Sequence, residues 1–525
     1  MKMALRSPAL CLLLALSSFI NPVSAQTVTI PDPGLDAAVR ASLQKPTGPL
    51  TADDLLSLTN LDASGRNISS VTGLEAARNL VSLDLEINHL TNFSLPNSLT
   101  NLMVLNLSSN PLSTSSFPSG PMKLTDLNLS HNLFGAFSLP SNLSSLKSLD
   151  LGFNGLTNVS LPSGLTNLNG LIIRGNTILA TLNVPSGLSA LETLDIDSNE
   201  LSNVSLPGGM RSLNRLSLQG NQLFNLALPA DLTKLSFIDV TGSLLTNCTV
   251  PATLTSLTQL VLPINRLQNF TLPNSLTNLV NLDLFENFLT SFSLPAGLNA
   301  LTNLDLGVNQ LTTFALPAGL NALVRLDVGG NKLTTFTVPA GTANLTTLLL
   351  AFNQLTNINL PSNLTKLQVI GLSANRLNNL NLPSGLTNLT LLNLNNNQLT
   401  NVTLPPDMQQ LTGIFLDGNP LMTFVVSETL AATSLAVTVN SLRGRGVTVF
   451  TYPLTAQLTS PRTSSAGAFE FILTGPSGEY AVLSSSNLSQ WNQLTTVTNQ
   501  FGSNSFSDFT FHLSSQKFCR ALALP

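Results

Sequence analysis

Leucine recurs through most of the chain in one fixed frame. Between Leu279 and Leu301 the apolar positions are Leu279, Leu282, Leu284, Leu289, Phe292, Leu294, Leu298 and Leu301, with Asn287 and Pro295 at two fixed places between them. Leu282-Asp283-Leu284 alternates with period two, which predicts a short strand that buries its leucines and turns Asp283 outward. The frame returns every 22 residues from about 58 to about 426, giving about 17 turns. A unit this short cannot bury its own apolar side, so successive turns must stack. One strand per turn then builds a parallel ladder with rungs about 4.8 Å apart.

Two polar columns define the turn. Asparagine stands at 88, 110, 132, 154 and 176, at 199 and 221, and at every twenty-second position from 265 to 419. Ser243 fills the one missing place, and one step of 23 separates Asn176 from Asn199. An asparagine amide both donates and accepts, so it can satisfy backbone groups that a corner turns away from water. Proline recurs from Pro96 to Pro405, where its fixed φ ends the second extended piece before a tight turn such as Ser384-Gly385-Leu386-Thr387. The back of each turn is therefore expected to be thin, made of extended and 3₁₀-like pieces.

The ends depart from the frame. Residues 1–25 read as a Sec signal peptide, with Lys2 and Arg6 before an apolar core and Val23-Ser24-Ala25 as the cleavage site. Residues 26–57 are expected to form a helical cap: one helix follows Asp32 with Leu35, Val39 and Leu43 on one face, and another starts at Thr51 with Asp54 as capping-box acid. At the far end, 427–454 is expected to cap the stack with a helix over Ser427 to Leu442 and a strand over Val447 to Tyr452. Residues 455–466 look like a linker. Alternating runs at Phe469–Leu473, Tyr480–Ser484, Gln493–Thr498, Ser505–Phe511 and Phe518–Leu522 then predict a small β-sandwich-like module over 467–525, with Trp491 as core anchor and an exposed, carbohydrate-stacking Trp491 as the alternative.

The run Leu301-x-x-Leu304-x-Leu306-x-x-Asn309-x-Leu311 resembles the repeat of the leucine-rich-repeat superfamily, and Ile30 to Asn79 is similar to the first segment of bacterial internalin-like repeat proteins. The resemblance covers some 400 residues. It implies a right-handed solenoid with the parallel ladder on a concave face, an extended and 3₁₀ convex side, a helical N-terminal cap and a binding role without catalysis, to which a small all-β C-terminal module is added. Two features depart from it: no cell-wall sorting tail follows, and the last module is unlike internalin tails.

Composition narrows the function. Charged residues make up 9% of the chain, and loss of Lys2 and Arg6 with the leader takes the formal charge from −4 to −6, so no basic footprint for nucleic acid exists. No run after the leader has the length and apolarity of a membrane-spanning helix. His89, His131 and His512 do not converge with a nucleophile or with metal-ligand spacing, so no catalytic, metal or cofactor site is expected. Cys248 takes a position filled elsewhere by Phe, Val or Leu and reads as a small buried hydrophobe. Triplets of the type Asn-x-Ser/Thr at Asn92, Asn158, Asn203, Asn269 and Asn401 follow from the repeat's own composition.

The concave face carries the candidate site. The residue between the strand leucines is Asp at 84, 150, 195, 239, 283, 305 and 327, then Leu349, Gly371, Asn393 and Phe415. An acidic strip passing into an apolar patch suits a protein partner. The candidate contact residues are Asp283, Phe285, Asp305, Asp327, Leu349, Phe352, Val369, Leu391 and Phe415. A secreted or surface recognition protein is thus the leading expectation. A structural spacer of the cell envelope or extracellular matrix, attached through the C-terminal module, is the alternative, and glycan binding ranks third.

Overall fold

The computed structural model describes residues 26–465, 467–510 and 516–524. The signal-peptide reading of 1–25, His512 and the end of the expected strand at Phe511 lie outside the described residues. The chain divides into two compact units between Asn128 and Leu129.

In the first unit, helix α1 (Pro33–Ser42) starts at the N-cap Asp32, whose Oδ1 accepts from the Gly34 and Leu35 N–H groups, and it buries Leu35, Ala38 and Val39. Asp32 Oδ2 also accepts from Ser69 and Ser70, so one carboxylate ties the cap to the first repeat turn. Burial raises the pKa of Asp32, but these hydrogen bonds outweigh it and hold the group below the ordinary value. Helix α2 (Ala52–Leu56) has the expected capping box between Thr51 and Asp54. Four three-residue strands follow in parallel register: Asn60–Asp62, Ser82–Asp84, Val104–Asn106 and Asp126–Asn128.

The second unit continues the frame with 13 rungs, from Ser148–Asp150 to Gly413–Phe415, paired in parallel with identical register. Each rung places its central residue inward, among leucines with almost no exposure such as Leu282, Leu304 and Leu326. On the other side of the stack, isolated pairs such as Thr335–Thr337 with Asn357–Asn359 form a second, interrupted ladder. Where that ladder is interrupted, Phe270, Phe292 and Phe314 lead up to Phe336 as a buried spine with ring centroids 6.3, 6.3 and 6.5 Å apart. Cys248 lies in the same layer, and burial pushes its thiol up to about 12, so it is inert packing. The back consists of successive tight turns, for instance Leu254 N–H to Pro251 O (3.2 Å) and Leu257 N–H to Leu254 O (3.0 Å). The proline carbonyl starts several of these turns, at Pro96, Pro229, Pro251, Pro273, Pro339 and Pro405; Leu74–Ala76 is the one continuous 3₁₀ helix among the described residues.

The corner asparagines do what their chemistry predicts. Asn309 Nδ2 donates to Leu284 O (2.9 Å), Leu306 O (3.1 Å) and Gly307 O (3.2 Å), while its Oδ1 accepts from Leu289 N–H (3.0 Å). Four backbone groups in two turns are satisfied by one buried side chain. Turning the two local carbonyls inward forces the preceding residue into the left-handed region: φ is +56° at Ile264, +52° at Val308, +56° at Phe352 and +65° at Gly330. For a β-branched residue this costs about 1–2 kcal/mol, which the amide network offsets. Ser243 is too short for this role, and its buried Oγ has no hydrogen-bond partner.

The C-terminal end corrects three expectations. The capping helix is two helices, α3 (Glu428–Ala432) and α4 (Ala436–Gly444), broken at Thr433–Leu435, where Thr433 leaves helical geometry with ψ −106°. After them, strand Thr448–Tyr452 pairs in parallel with Thr423–Ser427, and the buried Tyr452 hydroxyl donates to Leu404 O (2.6 Å). The expected linker 455–466 contains a strand, Gln457–Thr463, whose Leu458 packs on the module core. That strand completes a three-stranded antiparallel sheet with Phe469–Thr474 and Ser503–Asp508. It faces a second sheet of Asn492–Asn499, Gly478–Ser485 and Phe518–Ala523 across Phe471, Leu473, Tyr480, Val482 and Val497. Trp491 is not the core anchor. It sits half-buried at the start of a strand, with Nε1–H donating to Leu488 O and the Arg520 guanidinium 4.2 Å over its ring.

The module is also docked. Phe501 stacks on Phe450 of the cap at 5.2 Å, and any Cβ on Gly502 (φ +88°) would lie 3.0 Å from Thr451 O and from Tyr452 Cβ.

The corner network yields a stability prediction. Asn331→Ala orphans Leu311 N–H and three carbonyls and is expected to destabilise the second unit by about 2–3 kcal/mol. Ser243→Asn supplies the missing amide and is expected to stabilise it by about 1 kcal/mol. Urea unfolding of the two variants checks both signs.

Candidate partner-binding face

The strand register places the candidate residues directly. Asp283, Asp305, Asp327, Leu349, Gly371, Asn393 and Phe415 form one column on successive rungs. Asn281, Asn303, Arg325, Thr347, Val369, Leu391 and Gly413 form the neighbouring column two residues earlier. Both columns point away from the core. The acidic strip is shorter than its sequence pattern suggests, because Ile172, Ser217 and Val261 interrupt it. Three adjacent acids remain, at 283, 305 and 327.

Those acids do not simply face outward. Each is half-buried, and each Oδ1 accepts the N–H two residues on: Phe285 (2.9 Å), Gly307 (2.9 Å) and Gly329 (3.0 Å). The carboxylate closes the turn that leaves the strand. Asn106 and Asn393 occupy the same place and make the same bond, so the Leu-Asp-Leu pattern has a backbone cause. The appearance of Asn in that column was the sequence signal for it.

Around Gly307 three candidates converge. A Cβ on Gly307 would lie 3.1 Å from both Asp305 Oδ1 and Phe285 Cδ2, and 3.4 Å from Asp327 Oδ1. Phe285 and two of the acids thus meet beside Gly307. Burial, opposed by the Gly307 N–H and reinforced by Asp327 and Asp283, pushes Asp305 up to about 6. Burial raises Asp283 as well. Arg325 Nη2 donates to Asp327 Oδ2 at 3.0 Å.

Two rungs further the surface becomes apolar. Leu349 Cδ2 lies 3.0 Å from where Gly371 would carry a Cβ. Leu391 Cδ1 and Phe415 Cε2 lie 2.9 and 4.0 Å from the same point on Gly413. The two glycines let larger side chains close over them, and with Val369 they form a continuous low patch. Phe352 is not part of it: 69% exposed, it stands at the left-handed corner beyond the strand. Sequence reasoning missed that corner column, where Ile264 and Val308 are also exposed. Glycine at 175, 220, 242, 330 and 418 was the available signal for its unusual φ.

Among the described residues no group of three or more His, Cys, Asp or Glu is arranged to hold a metal. His131 is stacked on Phe153 at 4.5 Å, with Arg174 5.4 Å from the same ring. No helix of the described residues is long and apolar enough to cross a membrane.

The family model for the BspA type leucine rich repeat region matches residues 85–195, 196–304 and 309–422, more than half of the chain. The chain belongs to this leucine-rich-repeat family. Among solved structures it is similar to the functional domain of InlJ from Listeria monocytogenes, with TM-score 0.56 and 21% identity over 86% of this chain and 96% of that one. A TDR receptor gives TM-score 0.52 and 24% identity, covering 77% of each chain. Both likenesses concern the fold, which is internalin-like. The InlJ domain is described as including a cysteine ladder; in this leucine-rich-repeat chain the matched region contains only Cys248, and phenylalanines form the spine instead. No curated protein matches the chain.

The perturbed acid gives a pH test. Asp305 keeps its proton to higher pH when folded than when unfolded, so its ionisation opposes folding as pH rises from about 4 to about 6, and the penalty persists above that window. Asp305→Asn retains the turn bond and is expected to stabilise the protein by about 1 kcal/mol at pH 7.5, after allowance for solvent screening. The difference should vanish near pH 4. Urea unfolding at both pH values decides; a variant less stable than wild type at pH 7.5 contradicts the assignment.

Proposed function

We propose that this chain is an exported, non-enzymatic recognition protein whose ladder face binds a protein partner. The observation that carries this reading is the break in side-chain character on that face: Leu349, Val369, Leu391 and Phe415 put an apolar side chain on each of four successive rungs, whereas Val104, Ile172, Phe237 and Val261 stand among Asp, Asn, Ser, Thr, Gln and Arg elsewhere in the two columns. An exposed apolar cluster beside charged groups, on a rigid ladder, is the usual composition of a protein-contact centre with its polar rim. Export rests on the leader-like sequence of residues 1–25, with cleavage after Ala25.

A second reading is a spacer of the cell envelope or matrix. Near-identical turns and the stacking of Phe501 on Phe450, which holds the C-terminal module against the cap, favour it.

Photo-crosslinking separates the two. Full-length protein carrying a photoreactive residue at Phe352 or at Trp491 is returned to the cells that produce it. The recognition reading expects a defined protein adduct from position 352, lost on Leu349→Ser with Phe415→Ser. Adducts to envelope polymer from position 491, with none from 352, would support the spacer instead.

A further inference from the structure

Two carboxylate oxygens at the edge of the apolar patch have no role inside the protein. Oδ1 of Asp283, Asp305 and Asp327 is used by the backbone, and Oδ2 of Asp327 is taken by Arg325. Among the described residues Oδ2 of Asp283 and of Asp305 accepts no hydrogen bond, and neither residue forms an ion pair. These two acids are adjacent rungs of the column that continues into Leu349. Both acids are half-buried, which strengthens their attraction for a cation that docks there. Arg325 neutralises the third acid and disfavours a second cation at that rung.

Resting on the recognition reading, we propose that the partner presents a lysine or arginine to Asp283 and Asp305 and a run of apolar side chains to Leu349, Val369, Leu391 and Phe415. The charge complementarity of one column fixes the order. Asp305 lies two rungs from Leu349, about 10 Å, and Asp283 three rungs, about 14 Å. An extended segment at about 3.3 Å per residue spans those distances with three or four residues. Leu349 and Phe415 are three further rungs apart, room for about four residues more. The ligand class is therefore a protein segment with a cation three or four residues from an apolar run.

The test pans a phage-displayed library of random 12-residue peptides on the full-length protein. Selected peptides are then synthesised and titrated by fluorescence anisotropy. Three proteins are compared: wild type, Asp283→Asn with Asp305→Asn, and Leu349→Ser with Phe415→Ser. Asparagine at 106 and 393 makes the same turn bond, so the first pair keeps the fold, which melting by circular dichroism verifies. The expected result is enrichment of Lys or Arg at that spacing from Leu, Ile or Phe. Affinity should drop about tenfold or more on either double variant, and wild-type affinity should weaken with added salt. Peptides that need the apolar pair but ignore the aspartate substitutions overturn the cation assignment and leave the recognition reading standing. Peptides that need the aspartates alone, or neither pair, overturn both.

Discussion

Everything in the solenoid hangs on the buried amide at each corner. One asparagine joins two turns by holding an N–H of the turn before and three carbonyls, as Asn309 does with Leu289, Leu284, Leu306 and Gly307. Without it backbone groups are left unpaired inside a leucine core, out of reach of water, a cost that the Ser243 corner carries. The left-handed φ at Val308 and Ile264, the strand register and the outward direction of every second strand residue follow from that bond set. The phenylalanine spine and the leucine layers add apolar burial, but burial alone is non-directional and does not select a register.

Most of this was legible in the sequence, because period and chemistry agreed. Leu282-Asp283-Leu284 announced the strand, Asn287 the corner and Pro295 the back turn, and the structure has each of them there. What escaped was information that a period does not carry. The crowding of Asp305, Phe285 and Asp327 around Gly307 brings together side chains of three successive turns. The strand at Gln457–Thr463 looked like a linker because its inward residues are few and its Ser, Thr and Arg residues lie on the outer side. Trp491 was assigned to the core by size, yet the module fills that core with Phe471 and Tyr480 and leaves the indole to Arg520.

The candidate face shows how a regular scaffold acquires an address. The fold tolerates varied side chains at the outward strand positions, since the main chain makes the ladder bonds and the column that supplies Oδ1 at Asp or Asn also accepts Leu349, Gly371 and Phe415. Selection of Leu349, Val369, Leu391 and Phe415 is therefore not required by the turn, and Gly371 and Gly413 make room for them. The same freedom explains why family membership says little about the partner. Chemistry at the lapses in the repeat is what distinguishes this chain from its own neighbouring turns.

The amide account is tested most directly by native-state hydrogen exchange at the corner N–H groups. Leu267, Leu289 and Leu311 donate to asparagine Oδ1 at 3.0 Å, whereas Leu223 faces Ser243, whose Oγ has no partner. The account predicts strong protection at the first three and markedly faster exchange at Leu223. Equal protection at all four would show that the corner asparagines are not what holds the turns together.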